Sequence, residues 1–109
     1  MNKKLIEKEI NKIKAKIVRK YRPEKIILFG SYVWGKFTSD SDVDFFIVKK
    51  TKKRKLDRIY EVDKLLAERK IPIDVLIYTP QEIRERLKLG DLFVKEVIER
   101  GKLIYERKQ

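Results

Sequence analysis

Three aspartates and one Gly-Ser pair are the residues of this sequence whose types and spacing could support chemistry. Asp42 and Asp44 stand two residues apart at the start of an apolar stretch, and Asp74 lies inside a later one. Gly30-Ser31 directly follows another apolar run. Aspartates are unfavourable inside strands, and like charges on one face repel each other. The pattern therefore indicates a cation-binding site next to a turn whose backbone can approach a phosphate closely.

The composition restricts which chemistry these residues can perform. The chain has no histidine and no cysteine among its 109 residues. This excludes histidine-assisted nucleophilic catalysis, thiolate metal sites and disulfides. Carboxylate ligands favour Mg²⁺, with Mn²⁺ as the alternative. Two such ions, about 3.5–4 Å apart, can bind the attacking and leaving oxygens of a phosphoryl or nucleotidyl transfer.

The charge and hydropathy of the chain suggest its partners and location. The net charge of +12 favours nucleotides or nucleic acid, although a lysine-rich solvated surface would give the same value. Abundant Lys and Glu with almost no Cys or Met is typical of heat-adapted cytoplasmic proteins. No run of about 18 apolar residues is present, and the start lacks the apolar core of a signal peptide. We therefore expect one cytoplasmic domain over residues 1–109, with no membrane span.

Apolar periodicity predicts alternating helices and strands. Strands are expected at residues 26–29, 43–48, 71–78 and 103–105. Helices are expected at residues 3–19 and about 53–69, from residue 80 behind a capping box, and after Asp91, with one short helical turn at 31–36. The predicted buried faces of the third and last helices are Leu56, Ile59, Val62 and Leu66, and Phe93, Val97 and Ile98.

Connection lengths predict how these elements bring the aspartates together. The second and third strands are joined by a helix, which indicates a parallel crossover. The first and second strands are joined by a link too short for a comfortable crossover, which favours an antiparallel pair. Gly30-Ser31, Asp42, Asp44 and Asp74 would then meet at one edge of a mixed sheet. The expected fold class is α/β (α+β), with helices packed on that sheet.

At these positions the chain resembles the nucleotidyltransferases of the DNA polymerase β superfamily. The shared pattern is Gly30-Ser31, ten intervening residues, Asp42-Val43-Asp44, and a third acid on a later strand. The short length and the ending ERGKLIYER are similar to the minimal nucleotidyltransferase (MNT) family. Its members are small prokaryotic proteins encoded beside HEPN-domain proteins, with which they form toxin–antitoxin pairs. The resemblance implies a two-layer polymerase-β-type nucleotidyltransferase fold.

The resemblance also implies a role for each site residue. Gly30 and Ser31 would hold the β- and γ-phosphates of ATP or another NTP. Asp42 and Asp44 would bind both Mg²⁺ ions, and Asp74 would bind the ion that activates the acceptor oxygen. The acceptor would be a tyrosine of a HEPN toxin, modified with AMP, in a hetero-oligomer where this chain is a type VII-like antitoxin.

One position departs from the family, and several alternatives stay open. Family members often carry Arg where this chain has Trp34. Tyr32, Trp34 and Phe37 could stack on a base, but we expect these aromatic side chains to pack locally around the turn. Asp44 and Asp74 could instead be paired with lysine or arginine. The chain could be an antitoxin that binds nucleotide and neutralises its partner stoichiometrically, or a basic nucleic-acid-binding module. The basic run at residues 49–55 is expected far from the site, as a solvated loop or partner surface.

Overall fold

A computed structural model describes residues 2–108, which form one four-stranded sheet and five helices. Within that range no helix is long and apolar enough to cross a membrane. In chain order the elements are α1 (Lys3–Tyr21), β1 (Lys25–Phe29), α2 (Ser31–Trp34), β2 (Val43–Val48), α3 (Lys55–Leu65), β3 (Ile73–Tyr78), α4 (Pro80–Lys88), α5 (Leu92–Arg100) and β4 (Lys102–Glu106).

The sheet is mixed, with strand order β3-β2-β1-β4. β1 pairs with β2 and with β4 in antiparallel orientation, and β2 pairs with β3 in parallel orientation. Both predicted strand directions are confirmed, because the helical link after β2 forms a crossover and the shorter link before it does not. The α+β fold class is therefore confirmed.

Alternating side chains of β2 divide the core between the two faces of the sheet. Val43, Phe45 and Ile47 pack with α1 and α3 in the larger apolar cluster. Phe46 and Val48 belong to a smaller cluster on the opposite face, which includes Val97 of α5. The period-2 pattern of this strand thus explains why Asp44, in phase with Phe46, lies on the side opposite α1.

The helix ends follow the signals in the sequence. The hydroxyl of Thr79 accepts a hydrogen bond from the Glu82 N–H, and the Glu82 carboxylate accepts one from the Thr79 N–H, which confirms the capping box. The Asp91 carboxylate caps α5 through the Val94 N–H. These contacts satisfy N–H groups that have no acceptor within their own helix.

The predicted buried face of α3 is wrong at its first position. Leu56 is 80% exposed, whereas Arg58 is only 5% exposed. The Arg58 guanidinium donates to the Ile77 carbonyl and to both carboxylate oxygens of Glu82. Because these acceptors satisfy its guanidinium, Arg58 can be buried, and the face of α3 that carries Arg58 packs toward the sheet. α3 also ends at Leu65, before the predicted end at residue 69.

The buried face of α5 and the start of β3 also differ from the sequence prediction, and α1, β1, α2 and β4 differ from their predicted bounds by one or two residues. In α5 the buried residues are Val94 and Val97, while Phe93 and Ile98 are each 41% exposed. Val94 and Val97 are three residues apart and therefore share the helix face that meets the sheet. β3 begins at Ile73 rather than at residue 71, because Pro72 has no N–H to donate to a strand ladder.

Candidate active site

Asp44 and Asp74 occupy paired positions on neighbouring strands. In the parallel pairing of β2 with β3, Asp44 stands opposite Asp74, and in the antiparallel pairing with β1 it stands opposite Phe29. Side chains at paired positions project to the same face of a sheet. Asp42 immediately precedes β2, two residues before Asp44, and is therefore in phase with it. Strand register thus brings Asp44 and Asp74 together as expected, and Asp42 lies next to this pair at the start of β2.

The turn at Gly30 lies directly against the Asp44 carboxylate. Gly30 has φ 79° and ψ −161°, a backbone conformation that is essentially restricted to glycine. A Cβ placed on Gly30 would lie 2.0 Å from Oδ2 of Asp44. The Gly-Ser turn and the central aspartate, which are 14 residues apart in sequence, are therefore in contact.

The three carboxylates influence one another electrostatically. Partial burial, together with the nearby negative charges of Asp74 and Asp42, raises the pKa of Asp44 to about 6. Asp42 and Asp74 are themselves exposed to solvent. Burial and the two neighbouring carboxylates all disfavour ionisation of Asp44, so this carboxyl group keeps its proton to a higher pH than an ordinary aspartate does.

In the part of the chain that the structure describes, the three aspartates have no ion-pair partner. Among the ion pairs that residues 2–108 form, none includes Asp42, Asp44 or Asp74. The alternative in which lysine or arginine holds Asp44 and Asp74 is therefore not what the described part of the chain adopts. Unpaired, mutually repelling carboxylates are a pattern more typical of functional sites than of structural ion pairs.

The donor chemistry of the cluster fits a divalent cation. Carboxylate oxygens are the ligands that Mg²⁺ prefers, and a cation would relieve the repulsion around Asp44. However, within residues 2–108 no group of three or more Asp, Glu, His or Cys side chains is already arranged to hold a metal ion. The side chains would have to close around an ion to bind it.

The loop that leads into Asp42 is organised by hydroxyl groups. The Ser41 hydroxyl accepts a hydrogen bond from the Thr38 N–H at 3.1 Å and lies 3.1 Å from the Thr38 hydroxyl. The Thr38 hydroxyl also accepts from the Asp40 N–H at 3.3 Å. The role of Thr38 was not predicted from the sequence, although hydroxyl residues three apart in a loop are a recognisable turn signal. Because they stabilise the loop, the carboxylate of Asp42 is not needed for that purpose.

A cleft of about 420 Å³ opens beside Ser31. Tyr32 and Phe37, whose rings meet edge to face at 5.2 Å, form part of its wall, together with Val43 and Ile71. The expectation that the aromatic residues after Gly30-Ser31 pack locally is confirmed for this pair.

Comparison with known proteins identifies the family to which this site belongs. Residues 11–109 match the family described as Polymerase beta, Nucleotidyltransferase. The chain belongs to this nucleotidyltransferase family. The matched range includes all the residues singled out above, from Gly30-Ser31 to Asp74.

Two relatives cover almost the whole nucleotidyltransferase. The chain is 31% identical over 105 residues to "Putative protein adenylyltransferase MJ0604" of Methanocaldococcus jannaschii, covering 94% of this chain and 96% of that protein. A crystal structure of a "putative nucleotidyltransferase" from Sulfolobus solfataricus superposes with a TM-score of 0.61 at 25% identity, covering 98% of this chain and 91% of that one. The expectation of a minimal nucleotidyltransferase enzyme is confirmed.

The basic run of this nucleotidyltransferase lies at the end of the sheet away from the aspartates, as expected. Lys49 is not a solvated loop residue, however. Its ammonium donates to the Tyr21 carbonyl at 2.6 Å and stands over the Tyr21 ring, at the C-terminal end of α1. Lys53 pairs with Glu61 at 3.0 Å, and Lys55 stands over the Tyr78 ring. The Glu61 carboxylate offsets the charge of Lys53, and the contacts of Lys49 and Lys55 with the folded chain restrict how these ammonium groups could reach a nucleic acid.

Proposed function

We propose that this nucleotidyltransferase transfers a nucleotidyl group, AMP from ATP, to an acceptor hydroxyl in a metal-dependent reaction. The observation that carries the proposal is the contact between the Gly30 turn and Asp44, with Asp74 in register beside it. Within residues 2–108 no lysine or arginine forms an ion pair with these aspartates. A phosphate-binding turn and a carboxylate cluster in contact are the two parts that nucleotidyl transfer requires. The name of the relative from M. jannaschii supports AMP as the transferred group.

Each site residue has a distinct task in this proposal. Gly30 lets the backbone approach the β- and γ-phosphates, and Ser31 offers a hydroxyl and an N–H at the start of α2. Asp42 and Asp44 would hold two Mg²⁺ ions, and Asp74 would hold the ion on the acceptor side. When bound, such ions stabilise the negative charge that develops on the attacking and leaving oxygens.

The reaction is an in-line displacement at the α-phosphorus. The acceptor oxygen forms a bond to that phosphorus while the bond to the bridging oxygen breaks. Pyrophosphate leaves with the electron pair, and the hydroxyl proton passes to solvent. The exposed position of Asp74 leaves room for an acceptor to approach from outside the chain.

We further propose that the acceptor is a tyrosine of a HEPN-domain toxin. The support is the resemblance to the minimal nucleotidyltransferase family, together with the similarity to the "Putative protein adenylyltransferase MJ0604" of M. jannaschii. In this view the chain forms a hetero-oligomer with its partner and acts as a type VII-like antitoxin.

Label transfer tests the proposal. ATP labelled at the α-phosphate is incubated with Mg²⁺, the protein and a HEPN-domain protein from the same genome. We expect label on the HEPN protein, and its loss when Asp42→Asn and Asp44→Asn are combined. Asp40→Asn, an exposed carboxylate change in the same loop, is the matched control and should retain transfer. Transfer by the double variant would rule out the assigned site.

A second candidate is a nucleotide-binding antitoxin that neutralises its partner by stoichiometric binding. The specific support is that carboxylates in the described range are not preassembled to hold an ion. This version predicts that the Asp42→Asn, Asp44→Asn variant still neutralises the partner in cells. Neutralisation that depends on both aspartates would favour catalysis instead.

A further inference from the structure

Trp34 connects the short helix that carries Ser31 to the C-terminal end of α5. Trp34 is the last residue of α2, and its indole Nε1 donates a hydrogen bond to the Arg100 carbonyl at 2.9 Å. The Trp34 ring also lies 6.4 Å from the Phe29 ring, and the Arg100 guanidinium stands over it at 5.4 Å. Trp34, which follows the Gly30-Ser31 turn, is thus hydrogen-bonded to a residue 66 positions later in the chain.

The short helix α2 contacts both apolar clusters of the core. Tyr32 and Val33 pack against the larger apolar cluster, on the α1 side of the sheet. Trp34 packs against the smaller cluster, on the face toward which Asp44 projects. A helix of four residues has little stability of its own, so its orientation depends on these tertiary contacts.

The acceptor of the Trp34 hydrogen bond is held in place by the packing of Gly101. A Cβ on Gly101 would lie 2.4 Å from the Val97 carbonyl and 2.5 Å from Cγ2 of Ile27. The Gly101 N–H donates to the same Val97 carbonyl at 2.8 Å. Since α5 ends in such close contact with β1, the Arg100 carbonyl is a fixed point relative to the sheet.

We propose that Trp34 is a positioning residue, which uses the Arg100 carbonyl to fix the Gly30-Ser31 turn against Asp44. Ser31 and Trp34 are the first and last residues of α2, so a change in the orientation of this short helix moves both side chains together. Without the indole N–H the turn would keep its contacts with the α1 side and lose its hydrogen bond to α5. The consequence for nucleotide binding rests on the function proposed above.

Three variants separate this role from general stability. Trp34→Ala removes the ring and the donor, and Trp34→Phe removes the donor while keeping a smaller aromatic ring. Val62→Ala, a fully buried change on the opposite face, is the control for lost core packing. Arg100→Ala keeps the carbonyl and removes the guanidinium, so it tests whether that charge contacts nucleotide directly.

Calorimetric titration with Mg-ATP, and with inorganic tripolyphosphate, gives the first readout. We expect Trp34→Ala to weaken both ligands by about 5- to 100-fold, since small displacements of binding groups have effects of this size. Trp34→Phe should fall between Trp34→Ala and the parent protein, whereas Val62→Ala and Arg100→Ala should stay within about twofold of the parent. Equal affinities for Trp34→Ala and Val62→Ala would overturn the proposal.

Hydrogen exchange gives a readout that does not depend on any ligand. The N–H groups of Val33 and Trp34 bond to the Gly30 carbonyl, and that of Gly35 bonds to the Ser31 carbonyl. We expect Trp34→Ala to speed exchange at Val33 and Gly35, and Val62→Ala to leave them unchanged. If the parent protein binds no nucleotide, the proposed function fails, and exchange alone then decides the role of Trp34. Unchanged exchange in Trp34→Ala would overturn it.

Discussion

Because Gly30 has no side chain, the turn that contains it can lie directly against the Asp44 carboxylate. The carboxylate of Asp44 occupies the space that a Cβ of residue 30 would need. Two physical requirements therefore coincide at Gly30, a positive φ and a close approach to a charged group. Either alone would favour glycine, and a larger residue here would both strain the backbone and require the Asp44 side chain to move.

Gly90 provides a comparison for Gly30, because both have φ 79° but a Cβ on Gly90 would meet nothing within 4 Å. We expect Gly90→Ala to cost about 1 kcal/mol of unfolding free energy and Gly30→Ala about 3 kcal/mol, because ψ −161° places Gly30 in a region essentially restricted to glycine and the Asp44 side chain must also move. Urea unfolding measures both. Equal losses would show that neither this backbone conformation nor the contact with Asp44 has an energetic consequence beyond that of the positive φ.

The raised pKa of Asp44 predicts a dependence of stability on pH. Because its pKa is about 6 in the folded chain and 3.8 for an ordinary aspartate, the folded state holds the proton more tightly. The resulting stabilisation is complete below about pH 4 and is lost as the pH rises through about 6. We therefore expect Asp44→Asn to unfold at a higher temperature than the parent at pH 8, with a smaller difference at pH 4.5.

Thermal unfolding of Asp40→Asn provides the comparison for that pH effect. Asp40 is exposed in the loop that leads into β2. Its replacement therefore removes one negative charge from the surface and leaves the partly buried Asp44 in place. A gap between Asp44→Asn and the parent that is the same at both pH values would contradict the assigned electrostatics.

At the scale of elements, α3 and α4 are joined by the ion pair between Arg58 and Glu82. The Arg58 side chain is 7% exposed and its Nη1 lies 2.7 Å from Oε1 of Glu82. Burial opposes ionisation of Glu82, but hydrogen bonds from Arg58 and from the Thr79 N–H outweigh it and hold the pKa of Glu82 below its usual value. The same carboxylate closes the capping box, so one residue stabilises a helix start and a helix–helix contact.

Removing Arg58 should therefore cost more than removing a surface arginine. We expect Arg58→Leu to lower the unfolding free energy by about 3 kcal/mol, because Glu82 and the Ile77 carbonyl lose their donor. Arg69→Leu, which breaks an exposed pair with Asp63, should cost less than about 1 kcal/mol. Chemical denaturation at pH 7 measures both values. Similar losses in the two variants would show that burial of the first pair is energetically unimportant.

At the scale of the whole molecule, the net charge of +12 on 109 residues opposes compaction. Raising NaCl from about 20 mM to about 500 mM shortens the screening length from roughly 20 Å to roughly 4 Å. We expect the melting temperature to rise by about 4 °C over this range. Differential scanning calorimetry at both salt concentrations checks it.

A charge-reduced variant is the control for the salt effect. Lys4 and Lys8 are exposed on α1, and changing both to Glu lowers the net charge by four units. The salt-dependent rise should be smaller in this variant, because less repulsion remains to be screened. A rise of the same size would assign the effect to something other than net charge.

Much of the architecture was determined by the sequence itself. The alternation in β2, the capping box at Thr79 and the lengths of the two links around β2 predicted the mixed sheet and its strand directions. These signals are local, or depend only on chain length, so they can be interpreted without knowing which residues meet. The same reasoning placed the Gly-Ser turn and the aspartates at one edge.

Only the tertiary structure decided which contacts give that edge its properties. No local pattern shows that Gly30 touches Asp44, that Trp34 donates to the Arg100 carbonyl, or that Arg58 rather than Leu56 is buried. Each of these depends on partners from distant parts of the chain, and the low free energy of burying an arginine exists only once Glu82 is beside it. Periodicity reports the average environment of a helix face or strand face, whereas register and packing determine which individual atoms meet.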